Sequence, residues 1–365
     1  MKASQETMQK VWKDLLISVL LYAAPVLLMM LAFYITGAKP WETFTPKTIH
    51  GDSFIAQIFR HLSQWGLPLI MLIIGVVEFV FGLYENHWTN NERLLDIICF
   101  VVPKILIKPV IAFVGLMLLP KVMPEARDLF AWVPFWWAFF IIAVGDDLTQ
   151  YWYHRMHHQL PWLWRFHRTH HSAPYMGMAM SSRQNFLYTL FFSQTYFTTI
   201  MVYLGLGIPV LIVTGVKSLI VTGAHSSIKW DKPFYTYRIL KPIGWVMERL
   251  ISTPATHHAH HADTTDDGVG YYKGNFGNMF FVWDLLFGTG IITRKYPKSY
   301  GIGFYKQEEW YAQFLWPILK SKKEGSELHK HGPMVGNAEE ISNMEKSDAT
   351  VAPSHSPSAV TVPAL

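Results

Sequence analysis

The chain has 365 residues, 51% hydrophobic and 15% aromatic, but only 16% charged, with a formal charge of +5. Soluble domains carry roughly 25% charged residues, so the balance leans towards a membrane protein. A single cysteine, Cys99, excludes an intramolecular disulfide and any Cys-rich zinc or iron–sulfur cluster. Lysine and arginine are spread over loops and the C-terminal part, without the stripe or reading motif that nucleic acid recognition needs, so no nucleic acid partner is expected.

In chain order, residues 15–36 are uncharged and, at about 1.5 Å per residue, span roughly 33 Å, which matches a hydrocarbon core. This predicts a spanning helix, since the apolar run is longer than that of a cleaved leader and lacks a small-x-small site. A second run, Leu67–Gly82, carries Glu78, and a third, Ile97–Leu119, carries Lys104 and Lys108. These two lysines stand i, i+4 and are read as snorkelling to the interface or facing a bundle interior. The fourth run, Phe130–Val144, flows without a turn signal into Asp146–His158, which predicts one helix that leaves the membrane and continues into water. Phe186–Val216, with Gly205, Gly207 and Pro209 in its second half, is too long for one span and short for two; it predicts a helical hairpin entering the bilayer with both ends on one side. From Met334 the composition turns to that of a disordered tail.

The expected fold is therefore all-α: an integral membrane bundle of about four spanning helices plus the hairpin, carrying a histidine-rich cap. Residues 1–129 form the N-terminal membrane helices, 130–333 the region with the chemistry, and 334–365 the tail. Lys2, Lys10 and Lys13 precede the first span, so the positive-inside rule sets the N-terminus and, after four crossings, the cap on the cytoplasmic side of a multi-pass protein.

The 17 histidines are crowded into short stretches. His154 and His158 form one cluster, His167, His170 and His171 a second, and His257, His260 and His261 a third. Residues three and four apart share a helix face, so each cluster is read as a multidentate face. Eight imidazoles exceed what one zinc uses, so two metals are implied. Imidazole suits iron, copper, nickel and zinc alike; a membrane setting, nitrogen-only ligands and an adjoining apolar region suited to lipids favour iron. His157 and His258 sit off these faces, in solvent, supporting or substrate-side positions. His225 stands alone in sequence. Asp147 lies on the stripe of Tyr151, His154 and His158, placed to accept the far ring N–H of a ligand histidine. A metal transporter or sensor binding zinc or copper is the alternative; it would need its ligands near the bilayer midplane, and these clusters lie in charged segments outside the predicted spans.

These motifs resemble the fatty acid hydroxylase superfamily, also called the sterol desaturase family, over roughly Phe130 to Thr293. His154/His158, His167/His170/His171 and His257/His260/His261 fall on its three histidine boxes. The runs Ser182-Arg183-Gln184, Thr253-Pro254, Asn275-Phe276-Gly277 and Trp283-Asp284 are most similar to the branch containing alkylglycerol monooxygenase and its bacterial relatives. The resemblance implies a membrane di-iron oxygenase with O2 as co-substrate, acting on a lipid by hydroxylation, desaturation or oxidative cleavage. It adds His225 to the metal ligands. Asp147, Asn275 and Asp284 are expected to support the ligand rings, and Arg183 to pair with an acidic group or a lipid phosphate. Lys229 stands where some relatives have a further histidine. No cytochrome domain is fused at either end, so the electron donor is expected to be a separate protein or a reduced pterin.

Overall fold

A computed structural model of the chain describes residues 73–78, 89–302, 308–323 and 326–329. The expected span at 15–36, most of that at 67–82 and the tail from Met334 lie outside the described residues.

The first long rod begins at α1 (Asn90–Val102), passes through a π-helical turn (Pro103–Ile107) and continues as α2 (Lys108–Val122). Thr89 opens it by accepting the backbone N–H of Glu92. The rod is 33 residues long, about 50 Å at the helical rise, well beyond the roughly 30 Å of a hydrocarbon core. Its two ends have different surroundings. Leu95 and Cys99 pack against Phe314, whereas α2 buries no residue and exposes Val110, Phe113 and Val122. The sequence expectation of a span over Ile97–Leu119 therefore corresponds to the middle of a longer helix.

Next comes α3 (Phe135–Gln159), the expected continuous helix that joins the aromatic run to the first histidines. It starts at Phe135, later than expected, because Pro134 precedes it and the Phe130 N–H is turned onto the Leu204 carbonyl at 2.9 Å. Trp136, Trp137 and Phe140 are exposed on its first turns, while Asp146 and Asp147 are buried lower down. Pro161 ends it: the preceding Leu160 is forced to an extended conformation (φ −108°, ψ 115°), and the chain turns a corner into α4 (Pro161–His171).

The expected hairpin is α5 (Ser193–Tyr203) followed by α6 (Gly207–His225). Its tip is Gly205, with φ +92°, where a Cβ would stand 2.9 Å from that of Ala131; only glycine meets both demands. α6 runs on to His225, beyond the expected Val216, because no breaker interrupts it. Its Val210 and Val213 pack with Ala138 and Ile142 of α3. Among the described residues, two helices are long and apolar enough to cross a membrane, Asn90–Val122 and Gly207–His225.

The remaining helices are short and include α7 (Lys241–Leu250), α8 (Pro254–His260), α9 (Val282–Leu286) and α10 (Trp310–Leu315), besides single turns at Phe186–Leu190 and Lys232–Thr236. No strand occurs among the described residues, only three isolated bridges. α7 is amphipathic and exposes Ile243, Trp245, Val246 and Leu250. Buried ion pairs join the parts. Arg183 is fully buried against Glu92 and Asp96 of α1 and donates to the Thr169 carbonyl at 3.1 Å. Of its two expected partners it takes the acidic one, within its own chain. Lys217 of α6 meets Asp146 at 2.6 Å and Asp147 at 3.3 Å on α3. Removing one member of such a pair strands a buried charge, so these pairs fix the register of the helices.

Candidate metal centre

The structure gathers all nine predicted histidines into two adjacent buried groups. His154 and His158 of α3, His167 and His171 of α4 and His260 of α8 form one; His170, His225, His257 and His261 form the other. Within each group the ligand atoms lie within 4.8 Å of one another. The groups touch through His171 and His261, whose rings stack at 4.3 Å.

This division differs from the sequence expectation that each cluster forms one face. On a helix the i+3 residue lies about 60° to one side of residue i and the i+4 residue about 40° to the other. The i, i+4 pairs His167/His171 and His257/His261 therefore stay together, while His170 and His260 turn into the neighbouring group. α4 and α8 each serve both groups, and His225 enters from the end of α6. Local sequence explains how α8 is held: Thr253 and Thr256 form a reciprocal capping box, with Pro254 at the first helical position.

Hydrogen bonding fixes the ring tautomers. His154 Nδ1 faces the Phe276 carbonyl, His260 Nδ1 the Gly274 carbonyl and His225 Nδ1 the Val221 carbonyl, each at 2.7 Å. A carbonyl only accepts, so each Nδ1 carries the proton and each Nε2 of a neutral ring is a bare lone pair. Yet His154 Nε2 and His260 Nε2 stand 3.1 Å apart. Two lone pairs at that distance repel, and a cation shared between them is what relieves the repulsion. In the second group, His225 Nε2 faces His170 Nε2 at 3.1 Å and His257 Nε2 at 2.9 Å, and His257 Nε2 faces His261 Nε2 at 3.2 Å. The ring nitrogens of His158, together with His167 Nε2 and His171 Nε2, are buried without a hydrogen-bond partner. Buried polar atoms are nearly always satisfied, so the donor set fits metal ions in both groups.

The three expected supporting residues act one layer further out than the sequence suggests. Asp147 accepts the backbone N–H groups of Met279 and Phe280 and the indole N–H of Trp283, at 2.8 to 3.2 Å, and bonds no histidine ring. Asp284 accepts the N–H groups of Phe276 and Gly277 and the Thr289 hydroxyl, at 2.6 to 2.8 Å. Asn275, in the left-handed region at φ 56°, donates to the carbonyls of Thr256 and Ile291. All three grip the 274–280 segment, whose carbonyls in turn hold His154 and His260. Sequence reasoning missed these backbone acceptors, for which no side chain is a signal. It also missed Gln184 as the partner of His167 Nδ1 at 3.1 Å, and Glu78, which accepts from the Ser226 hydroxyl and the Ser227 N–H beside His225.

His157 and His258 join neither group and are buried, not solvent-facing. His157 Nδ1 donates to the Tyr153 carbonyl one turn back. Both ring nitrogens of His258 are engaged, with the Tyr300 hydroxyl and the Ser226 carbonyl, each at 3.0 Å. Lys229 lies away from both groups, over the Tyr296 ring.

Burial drives every described imidazole of the centre outside the helical spans below its ordinary pKa. His154 is pushed down to about 3, by burial first and then by His157 and His225, against the pull of the Phe276 carbonyl. Burial takes His157 to about 4 and His258 to about 3. The folded chain thus keeps these rings neutral, whereas the unfolded chain binds protons near pH 6.5. Their contribution to stability is complete above about pH 6.5 and is lost as the pH falls from there towards about 3. The thermal midpoint of the metal-free protein is expected to be flat from pH 8 to 7 and to fall steadily below 6.5; differential scanning calorimetry across that range checks this.

A cavity of about 200 Å³ opens onto both groups, touching His154, His167, His170 and His225 and running between the rod and α6, where Lys108, Thr214 and Ser218 line it.

Comparison with known proteins agrees with this geometry. Residues 139–289 match the family model for fatty acid hydroxylase. The chain is similar to an alkylglycerol monooxygenase from Danio rerio, 26% identical over 217 residues, which is 54% of this chain and 44% of that protein. It is also similar to a cholesterol 25-hydroxylase from Rattus norvegicus, 27% identical over 253 residues, 68% of this chain and 67% of that protein. The chain thus spans less than half the length of the first relative and about two thirds of the second. No solved structure matches it. The three histidine boxes thus fold into one centre inside the region, residues 139–289, that matches the fatty acid hydroxylase family model.

Proposed function

We propose that the protein is a membrane-bound non-haem di-iron oxygenase that oxidises a C–H bond of a lipid, using O2 and electrons from a separate protein or a reduced pterin. The observation that carries this reading is the opposition of two bare Nε2 lone pairs, His154 and His260, inside a buried all-imidazole cage. In this reading His154, His158, His167, His171 and His260 hold one iron, and His170, His225, His257 and His261 the other. Together the irons would supply the activation of O2 and the oxidising power for a C–H bond.

The chain's own residues do the rest. The Phe276, Gly274 and Val221 carbonyls keep Nδ1 protonated and so aim Nε2 inward. Burial keeps the rings neutral, the form that ligates. Tyr188 and Phe192 form part of the cavity wall beside His154 and His167 and limit the access of water to it. The exposed apolar surface of α2 and of the first turns of α3 supports a multi-pass arrangement, with the amphipathic α7 lying at the bilayer surface and the centre on the cytoplasmic side. Transport is less well supported: the α6 helix contributes only His225, its last residue, to the cage.

The test is lipid mass spectrometry of cells expressing the wild-type chain or the His170→Ala variant. Wild-type cells are expected to accumulate a lipid that has gained one oxygen or lost two hydrogens relative to the variant. Identical lipid profiles at equal protein levels would contradict the proposal.

A further inference from the structure

We infer that the cavity beside the histidine centre seats an amphiphile with an acidic head, a carboxylate or a phosphate, held by Lys104 and Lys108 with Gln150 as a hydrogen-bonding group. That this amphiphile is also the substrate rests on the oxygenase reading; that it binds does not.

Three observations carry the inference. The first is the charge of the wall. Lys104, Lys108 and Lys217 all line the cavity, and among the described residues no Asp or Glu does. Lys217 is neutralised behind the wall by Asp146 and Asp147. The other two have only aromatic faces: Lys104 Nζ lies 3.5 Å from the Phe100 ring centre and Lys108 Nζ 5.3 Å from that of Phe192. A cation–π contact offsets part of the cost of desolvating an ammonium, not all of it, and neither lysine has a carboxylate partner among the described residues. An acidic ligand would supply the missing charge.

The second is the helix geometry at these positions. Lys104 lies within the π-helical turn and Lys108 closes it, with its N–H bonded to the Pro103 carbonyl five residues back. Such turns widen a helix locally and recur at functional sites. Lys104 is exposed and Lys108 half-buried, so an acid entering from the bilayer meets one ammonium and then the other. A pair that merely snorkelled to the interface would have no reason to line a cavity shared with the histidines.

The third is Gln150. It sits on α3 one turn before His154, is 8% exposed and lines the same cavity, and its Oε1 has no partner among the described residues. A buried amide in this state awaits a ligand group; as drawn it offers an acceptor, and turned over it offers two donors. Cys99, Tyr188 and Val221 supply apolar wall for a chain.

The test is equilibrium binding of radiolabelled hexadecanoate to the purified full-length protein in neutral detergent, with hexadecyl phosphate, hexadecan-1-ol, cholesterol and inorganic phosphate as competitors. Hexadecanoate or hexadecyl phosphate is expected to bind at least about tenfold more tightly than the alcohol, since charge-assisted hydrogen bonds are the strong ones, and whichever competes better identifies the head. Inorganic phosphate is expected not to compete, because the chain contributes. The Lys104→Gln/Lys108→Gln variant should lose about tenfold or more in hexadecanoate affinity, and the Lys104→Arg/Lys108→Arg variant should keep it. Lys104→Gln alone, at an exposed position, supplies the same test without risk to folding.

Equal binding of acid and alcohol would overturn the inference, as would Lys→Gln variants with wild-type affinity and wild-type metal content. Acid-selective binding by a protein found to hold metals other than iron would refute the oxygenase reading and leave the binding site standing.

Discussion

Replacing His260 by alanine is expected to remove one metal ion from the centre and abolish lipid oxidation, while replacing its neighbour His258 is expected to leave both metals in place. The two residues stand two positions apart on α8, are both buried and differ in what their rings meet. His260 Nε2 opposes His154 Nε2 at 3.1 Å with its own Nδ1 locked on the Gly274 carbonyl. His258 has no free nitrogen, because Tyr300 and the Ser226 carbonyl take both. Loss of His258 therefore leaves a buried hydroxyl and a carbonyl unpaired, a cost of about 1–3 kcal/mol each at most. Loss of His260 removes an electron-pair donor from a five-histidine group, and with it the stabilisation of the folded chain by bound metal, about 4 kcal/mol where metal stands at a thousand times its Kd. Elemental analysis and calorimetry of the two variants side by side give the comparison.

The second large effect is expected at Asp284, which touches no histidine. Its two oxygens hold the N–H groups of Phe276 and Gly277 and the Thr289 hydroxyl, and thereby the Phe276–Gly277 peptide unit whose carbonyl aims His154. Asp284→Ala strands three buried donors, for a loss of about 3 kcal/mol or more. Because the Phe276 carbonyl then loses its fixed direction, metal affinity should fall roughly 10–100-fold, the usual scale for groups that orient ligands. Asp284→Asn keeps one acceptor oxygen but turns an amide against a backbone N–H, and should fall between. Burial pushes the Asp284 carboxyl up to about 7, against the pull of Thr289, Gly277, Phe276 and Arg155, so those groups keep the rise from going further. A metal titration of wild type, Asp284→Asn and Asp284→Ala is expected to give affinities in that descending order; equal affinities would show that the loop needs no clamp.

The centre was legible in the sequence where it depends on helical spacing. The i, i+4 pairs at 154/158, 167/171 and 257/261 share a group because spacing alone forces it. What spacing leaves open is where a face points. His170 and His260 cross into the group opposite their neighbours because α4 and α8 pass between the two groups, a fact of tertiary packing. The hairpin was legible from Gly205 and its apolar flanks, as was the passage of α3 from apolar to charged surroundings. The length of the first rod was not: its polar start at Asn90 is helical because Glu92 and Asp96 are held by Arg183 some ninety residues on. The supporting layer was the least legible. Asp147, Asn275 and Asp284 carry the right chemistry, but they hold backbone, and backbone carbonyls carry no sequence signal.

The central claim is that nine imidazoles from α3, α4, α6 and α8 form one dinuclear iron site. Metal quantification and X-ray absorption on the purified full-length protein test it most directly. The account predicts about two irons per chain, with a first coordination sphere of nitrogen and oxygen only and a histidine signal at each iron. A single zinc per chain, or iron at a small fraction of the protein concentration after expression in iron-replete medium, would contradict it.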